Sequence, residues 1–162
     1  MPMSNVKVRE GQKSDLPRVL ELVKELATFE KALALVSNTV ERMEEDGFGL
    51  NPIYGFFVAE RANVIVGLSL YYYRYSTWKG KRLYLEDIIV TEGERGKGLG
   101  KLLFERTMKF SLEMNCTGMI WQVLNWNKPA IDFYRKYDAS LDDEWINGHL
   151  EANQIEAFFN RK

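Results

Sequence analysis

Hydrophobic residues alternate with polar ones at the start of the chain and then change to a helical period. The segment "NVKVRE" alternates valines with polar residues, which predicts a half-buried strand. From Leu16 to Ala27 the apolar residues recur at helical spacing, with Ser14 or Asp15 as the candidate cap and Pro17 in the first turn. The chain is therefore predicted to begin with a strand followed by an amphipathic helix.

A second, shorter helix is predicted in "SNTVERMEEDGFG". Asn38 and Glu41 have the spacing of a capping pair, and Gly47 is a typical helix end.

The middle of the chain contains three β-prone runs in series. "FFVAE" and "VIVGLSLYYYRY" flank "RAN", which predicts a hairpin, and "RLYLEDIIV" is the third strand. In the tyrosine run, Tyr71 and Tyr73 should lie on one face and Tyr72 on the other, most simply for packing.

The remaining segments alternate between helix and strand. A glycine-rich loop precedes a helix with an apolar stripe from Leu99 to Met114. Then "TGMIWQVL" predicts a strand, "NKPAIDFYRKY" a helix, "EWINGHL" a strand and "EANQIEAFF" a helix. This order predicts one mixed α/β domain over residues 1–162.

Composition narrows the possible functions. The 162 residues carry 22 basic and 23 acidic side chains, so there is no overall positive charge to attract nucleic acid. The single cysteine, Cys116, excludes an internal disulfide and is predicted to be a buried apolar side chain. No run approaches about 18 apolar residues. We expect a cytoplasmic protein with no membrane partner, and we predict no metal site.

The glycine loop is a candidate anion site, because a helix N-terminus presents unpaired N–H groups and the positive end of the helix dipole. Two phosphate-binding motifs fit poorly. A P-loop would need glycine at Arg95 and Ser or Thr at Leu102, and a dinucleotide motif would need glycine at Lys101.

The pattern that does fit is R-x-x-G-x-G at residues 95–100. It resembles the pyrophosphate loop of the GCN5-related N-acetyltransferases. Residues 127–134 read N-x-x-A-x-x-x-Y, which resembles the helix with which this superfamily contacts pantetheine and presents a tyrosine. The two motifs occur in the expected order.

Longer segments extend the resemblance to one family. "DGFGLNPIYGFFVAE", "YSTWKGKRLYLEDIIV", "RGKGLG" and "LNWNKPAIDFY" are similar to the diamine N-acetyltransferases, which include the spermidine/spermine and thialysine acetyltransferases. The resemblance implies a mainly antiparallel sheet flanked by helices in a single domain. It also implies a homodimer that transfers an acetyl group directly from acetyl-CoA to a primary amine.

The resemblance assigns two catalytic residues. A primary amine with a pKa of about 10.4 is mostly protonated at neutral pH, so a base must remove a proton before the amine can attack. Glu86 matches the family's base, acting through water, and Tyr134 matches the acid that protonates the departing CoA thiolate. His149, the only histidine, is expected on the surface and is a poor candidate for the base.

The resemblance also assigns binding residues. The acetyl-CoA contacts, with backbone amides ranked first and a bulged strand exposing some of them, are Ile88, Ile89, Val90, Arg95, Gly96, Lys97, Gly98, Leu99, Gly100, Lys101, Asn127, Ala130, Tyr134 and Lys136. The amine contacts are Phe29, Glu30, Trp78, Glu86 and Asp87. By strand alternation Asp87 should point away from Glu86 unless a bulge intervenes.

The amine itself remains open at this stage. The spermidine/spermine branch has an aspartate where Ser76 stands, so "YSTWKG" favours the thialysine branch. Asp138 replaces a glycine that follows the helix in relatives, and Asp tolerates a left-handed cap. The alternatives are another acceptor, such as a peptide N-terminus or an amino sugar, and an acyl-CoA-binding regulator without activity.

Overall fold

The computed structural model describes residues 5–161, which divide into two compact units, residues 5–122 and 123–161. The first unit contains a five-stranded sheet and three α-helices. Its elements in chain order are β1 (Val6–Glu10), α1 (Leu16–Phe29), α2 (Val40–Phe48), β2 (Gly55–Arg61), β3 (Val64–Ser76), β4 (Gly80–Val90), α3 (Leu99–Glu113) and β5 (Met119–Trp121).

The sheet follows the order of the strands in the chain, β1-β2-β3-β4-β5. The first three pairings are antiparallel, and β4 pairs with β5 in parallel. The predicted hairpin joins β2 to β3, where Ala62 and Asn63 both have positive φ, as a tight hairpin turn requires. The mixed, mainly antiparallel sheet is confirmed.

Helices cover both faces of this sheet. On one face α1 and α2 pack over a buried cluster that includes Leu22, Phe56 and Ile89. On the other face α3 packs over a cluster that includes Phe57 and Leu103. The middle strands β2, β3 and β4 supply alternate side chains to the two clusters, which is why they have long apolar runs.

The ends of the first two helices differ in detail from the predictions. Asp15 occupies the cap position of α1, but its side chain makes no capping bond there and instead accepts hydrogen bonds from Arg9. The cap of α2 is Thr39, whose hydroxyl accepts from the backbone N–H of Arg42 at 3.2 Å. The prediction of Asn38 as cap was therefore wrong by one residue, and Gly47 lies inside α2.

The second unit contains α4 (Lys128–Arg135) and α5 (Ala152–Phe159). The predicted strand in "EWINGHL" was wrong, because residues 139–151 have no regular secondary structure. Apolar alternation alone does not make a strand without a neighbour to complete the ladder. Asp138 has φ 55°, which confirms the expected left-handed position after α4. His149 is exposed, as expected.

Within residues 5–161, every helix is too short or too polar to cross a membrane. Cys116 is buried, which confirms its predicted role as an apolar side chain.

Candidate active site

A β-bulge in β4 places the two consecutive carboxylates. On β3, Leu70 pairs with Asp87 and the next residue, Tyr71, pairs with Leu85, so Glu86 is an extra residue in the ladder. Such a bulge bends the strand and changes the direction of its side chains. The family resemblance implied a bulged strand here, and the structure places the bulge at Glu86.

The bulge brings both carboxylates to the α1 face of the sheet. Tyr84, two residues before Glu86, stacks on Tyr72 with ring centroids 5.0 Å apart. Ile89, two residues after Asp87, belongs to the cluster under α1. Side chains two residues apart on a strand share a face, so Glu86 and Asp87 point to the same side. The sequence analysis expected them to point apart unless a bulge intervened, and the bulge is the exception that applies here.

A third carboxylate joins them from α1. Glu30 follows the last residue of α1, and its negative charge acts on Asp87, as does that of Glu86. We call Glu30, Glu86 and Asp87 the acidic cluster. Burial, and after it the negative charges of Glu86 and Glu30, together raise the pKa of Asp87 to about 7. Burial also raises the pKa of Glu30. A cation bound here would relieve the repulsion among the three carboxylates.

Two tyrosines complete the surroundings of Glu86, and the sequence analysis did not assign them a role there. The Tyr72 hydroxyl hydrogen-bonds Glu86, and the pKa of Tyr72 is raised to about 12, first by burial and then by the charge of Glu86. Tyr84 also has a raised pKa, first from burial and then from Glu86. The available signal in the sequence was strand alternation, which places Tyr72 on the face opposite to Tyr71. Tyr84 lies on the same face as Tyr72.

The end of β4 beyond the bulge has a strand neighbour on one side only. The pairing of β4 with β5 covers Leu83–Leu85 and Met119–Trp121, whereas β4 continues to Val90. In residues 5–161, the backbone groups of 86–90 that point away from β3 therefore have no partner strand. Backbone amides at Ile88, Ile89 and Val90 were predicted acetyl-CoA contacts, and this open edge suits that role.

The glycine loop, residues 95–100, follows this open edge after the short segment 91–94. Gly96 and Gly98 have φ 73° and 79°, a left-handed conformation that favours glycine. Gly98 is the cap of α3, and a side chain at Gly96 would meet no atom within 4 Å. The first N–H groups of α3 have no preceding helical carbonyl to bond. The loop is thus a bare backbone cradle at a helix N-terminus, which fits a pyrophosphate.

The two cations of the loop that were predicted to add charge make contacts within the protein. Arg95 donates from Nε to the carbonyl of Val90 at 2.9 Å. Lys97 donates to the carbonyl of Gly93 at 3.0 Å and pairs with Glu94 at 3.3 Å. The backbone of the loop is therefore a better candidate than these two side chains for direct contact with a phosphate. The sequence analysis ranked them in the same order.

The predicted amine contacts do not all lie together within one chain. Glu30, Glu86 and Asp87 form the acidic cluster, and Phe29 is the last residue of α1 beside Glu30. Trp78 is exposed in the turn between β3 and β4, about 20 Å along the strand from Glu86 at the usual rise per residue. Ser76 accepts hydrogen bonds from the backbone N–H groups of Trp78 and Lys79, so its side chain stabilises that turn.

The predicted pantetheine and acid residues lie on α4. Asn127 is the cap of the helix, and its side-chain oxygen accepts from the N–H of Ala130 at 3.3 Å. Tyr134 is buried, one turn beyond Ala130, and Lys136 follows the last residue of the helix. The motif at 127–134 therefore combines a helix cap with one buried hydroxyl side chain.

Similarity to known proteins identifies the family. A model described as the acetyltransferase (GNAT) family matches residues 20–138. The chain belongs to this family. As a GNAT acetyltransferase it is an enzyme that uses acetyl-CoA to acetylate an amine, and the acidic cluster, β4 edge and glycine loop all lie within the matched range.

Individual relatives agree with this assignment. The thialysine N-epsilon-acetyltransferase of Mus musculus is 32% identical and covers 98% of this chain and 100% of its own. The thialysine N-epsilon-acetyltransferase of Bos taurus is 38% identical over 85% of each chain. An aminoglycoside N-acetyltransferase in complex with CoA has the same fold, with a TM-score of 0.74, 17% identity and 94% and 99% of the two chains covered.

The raised pKa of Asp87 predicts an unusual dependence of stability on pH. The unfolded carboxyl has its ordinary pKa of 3.8 and the folded one a pKa of about 7, so the folded state binds more protons between these values. The free energy of unfolding should therefore fall as pH rises from about 4 to 7. Asp87→Asn should remove this contribution and stabilise the protein by about 2–4 kcal/mol at pH 8.

Thermal denaturation of wild type and Asp87→Asn from pH 5 to pH 8 checks this. Asp143→Asn, at an exposed position in the second unit, is the matched control and should follow wild type. Parallel curves for wild type and Asp87→Asn would contradict the prediction.

Proposed function

We propose that the enzyme transfers an acetyl group from acetyl-CoA to a primary amine of a small diamine, a polyamine or a thialysine-like amino acid. The acidic cluster carries this proposal. Two carboxylates on one face of the sheet, with the charge of Glu30 acting on Asp87 and with aromatic rings beside Glu86, favour an acceptor that is a compact organic cation. The names of the relatives support the same class of acceptor. In this proposal residues 1–162 form one acetyltransferase domain, and the active species is a homodimer, as the resemblance implies.

Each part of the site has a separate role. The glycine loop and the open edge of β4 bind acetyl-CoA, whose thioester supplies the acetyl group. Glu86, held by Tyr72, removes a proton from the bound ammonium through water, which leaves a free amine able to attack the thioester carbonyl. A carbon–nitrogen bond forms, the nitrogen loses its second proton to water, and the carbon–sulfur bond breaks. Tyr134 gives its proton to the departing thiolate and regains one from water.

Asp87 and Glu30 have an electrostatic role in this proposal. A second ammonium or the backbone ammonium of an amino acid would lie near them, and its positive charge would lower the pKa of Asp87 back toward that of an ordinary carboxyl. Binding of a dication should therefore release a proton from Asp87 near pH 7. An acceptor whose only ammonium is the one that Glu86 deprotonates would gain less from this arrangement.

The first experiment measures CoA thiol release from acetyl-CoA with thialysine, lysine, ornithine, putrescine, spermidine and spermine as acceptors. The thialysine-like interpretation of "YSTWKG" predicts that kcat/KM is highest for thialysine or a closely similar amino acid. A preference for spermidine would show that Ser76 does not exclude polyamines. Tight binding of acetyl-CoA without turnover of any acceptor in the panel would contradict the proposed substrate class.

A further inference from the structure

One carboxylate on α1 contacts the segment that connects β4 to the glycine loop. Glu25 accepts a hydrogen bond from the Thr91 hydroxyl at 2.9 Å with one oxygen and from the backbone N–H of Glu92 at 2.8 Å with the other. The second oxygen also lies 3.5 Å from a terminal nitrogen of Arg95. A single side chain from α1 thus makes contacts to three residues of this segment.

Arg95 adds a second set of contacts at the same place. Its Nε donates to the carbonyl of Val90, and its guanidinium lies 5.6 Å from the centre of the Phe29 ring. Glu25 and Phe29 are four residues apart on α1 and so share one side of the helix. Together they fix residues 90–95 against the last turn of α1.

The fixed segment ends where the flexible backbone begins. After Arg95 come Gly96 and Gly98, whose positive φ and lack of side chains leave the following N–H groups open to a ligand. Glycine has the largest conformational freedom to lose when a loop is ordered, so a cradle of this kind depends on an anchor at its entrance.

We propose that Glu25 is a positioning residue for acetyl-CoA. It holds residues 91–95 so that the N–H groups from Gly96 to Lys101 point at the pyrophosphate, and it does so without touching the ligand. This inference rests on the proposed function of the glycine loop. It also gives Arg95 a structural role, because the charge of its guanidinium is balanced by Glu25 rather than directed at phosphate.

The test compares Glu25→Ala with wild type in two measurements. Amide hydrogen exchange of residues 90–98 is measured without ligand, and the Kd of acetyl-CoA is measured by calorimetry. We expect faster exchange in this segment and a Kd raised about tenfold, since hydrogen bonds to a charged carboxylate are among the stronger ones in proteins. The KM of the amine should change less than the KM of acetyl-CoA.

Matched variants separate positioning from general stability. Glu21→Ala removes an exposed carboxylate one turn earlier on α1, where it contacts Arg18, and should leave both measurements at the wild-type values. Thr91→Val removes one donor to Glu25 with little change in shape. Its effect on Kd should not add to that of Glu25→Ala, because both remove the same hydrogen bond. If Glu25→Ala does not fold, Glu25→Gln retains the side-chain volume and should show a smaller change in the same direction.

If the wild-type protein acetylates amines but Glu25→Ala changes neither the hydrogen exchange of residues 90–98 nor the Kd of acetyl-CoA, only the proposed role of Glu25 is overturned. A wild-type protein that binds no acetyl-CoA would instead overturn the proposed function, and with it the cofactor role of Glu25. Additive effects of Thr91→Val and Glu25→Ala would overturn the shared hydrogen bond as the cause.

Discussion

Replacing Glu86 by glutamine is expected to lower kcat by about 10²–10⁴-fold, the usual contribution of a general base, while the Kd of acetyl-CoA stays unchanged. Glutamine keeps the shape of the side chain and an oxygen that can accept the hydrogen bond from Tyr72. The variant therefore loses the ability to take a proton without losing its place in the bulge. Steady-state rates on the preferred amine, together with calorimetric binding of acetyl-CoA, measure both quantities.

The pH profile decides whether Glu86 acts as a base. In Glu86→Gln the only reactive acceptor is the fraction of amine already unprotonated in solution, which rises about tenfold per pH unit below a pKa near 10.4. The log of kcat/KM of the variant should therefore increase with a slope near one and approach the wild-type value at high pH. If Glu86 only attracts the cation, the variant should instead show a raised KM for the amine with an unchanged pH profile.

Asp87→Asn is the comparison that separates the two carboxylates of the bulge. It removes charge from the same face of the sheet but leaves Glu86 in place, so it should raise the KM of the amine and keep the dependence of kcat on pH. The opposite result, a log kcat/KM that rises with a slope near one in Asp87→Asn and keeps the wild-type profile in Glu86→Gln, would make Asp87 the base. The two side chains are adjacent in sequence and lie on one face of the sheet, so these pH profiles assign the base to one of them.

The features of the fold that depend on local sequence patterns were predictable from the sequence. The helical stripe of α1, the hairpin of β2 and β3 and the glycine loop before α3 each depend on residues within a short window. The β5 strand was predicted over a longer segment than the three residues observed, because the length of a strand depends on how far its neighbour runs beside it. Similarly, "EWINGHL" has the pattern of a strand but no ladder to join.

The candidate site was predictable only in part, because its geometry depends on pairings between distant residues. Sequence motifs placed Glu86, Asp87 and the glycine loop near one another. The extra residue at Glu86 is defined by the register between Leu70 and Asp87, which no local pattern encodes. The direction of Arg95 depends likewise on Glu25, a residue 70 positions earlier that no motif in the loop indicates.

Replacing Tyr134 by phenylalanine should remove the acid while leaving the binding of acetyl-CoA intact. The side chain is buried on α4 and phenylalanine keeps its ring, so the helix and its Asn127 cap should be retained. The departing thiolate would then have to take a proton from water, and we expect kcat to fall by about 10²-fold or more, in the range of other general acids.

The alkaline side of the pH profile gives the distinguishing measurement for Tyr134. An acid must be protonated to act, so the wild-type kcat should fall at high pH as the phenol ionises. That fall should be absent in Tyr134→Phe, whose residual rate depends on Glu86 alone. Tyr75→Phe, which removes an exposed hydroxyl from β3, should retain the wild-type rate and profile. An alkaline fall that persists in Tyr134→Phe would mean that another group protonates the thiolate, and it would leave Tyr134 with a role in packing only.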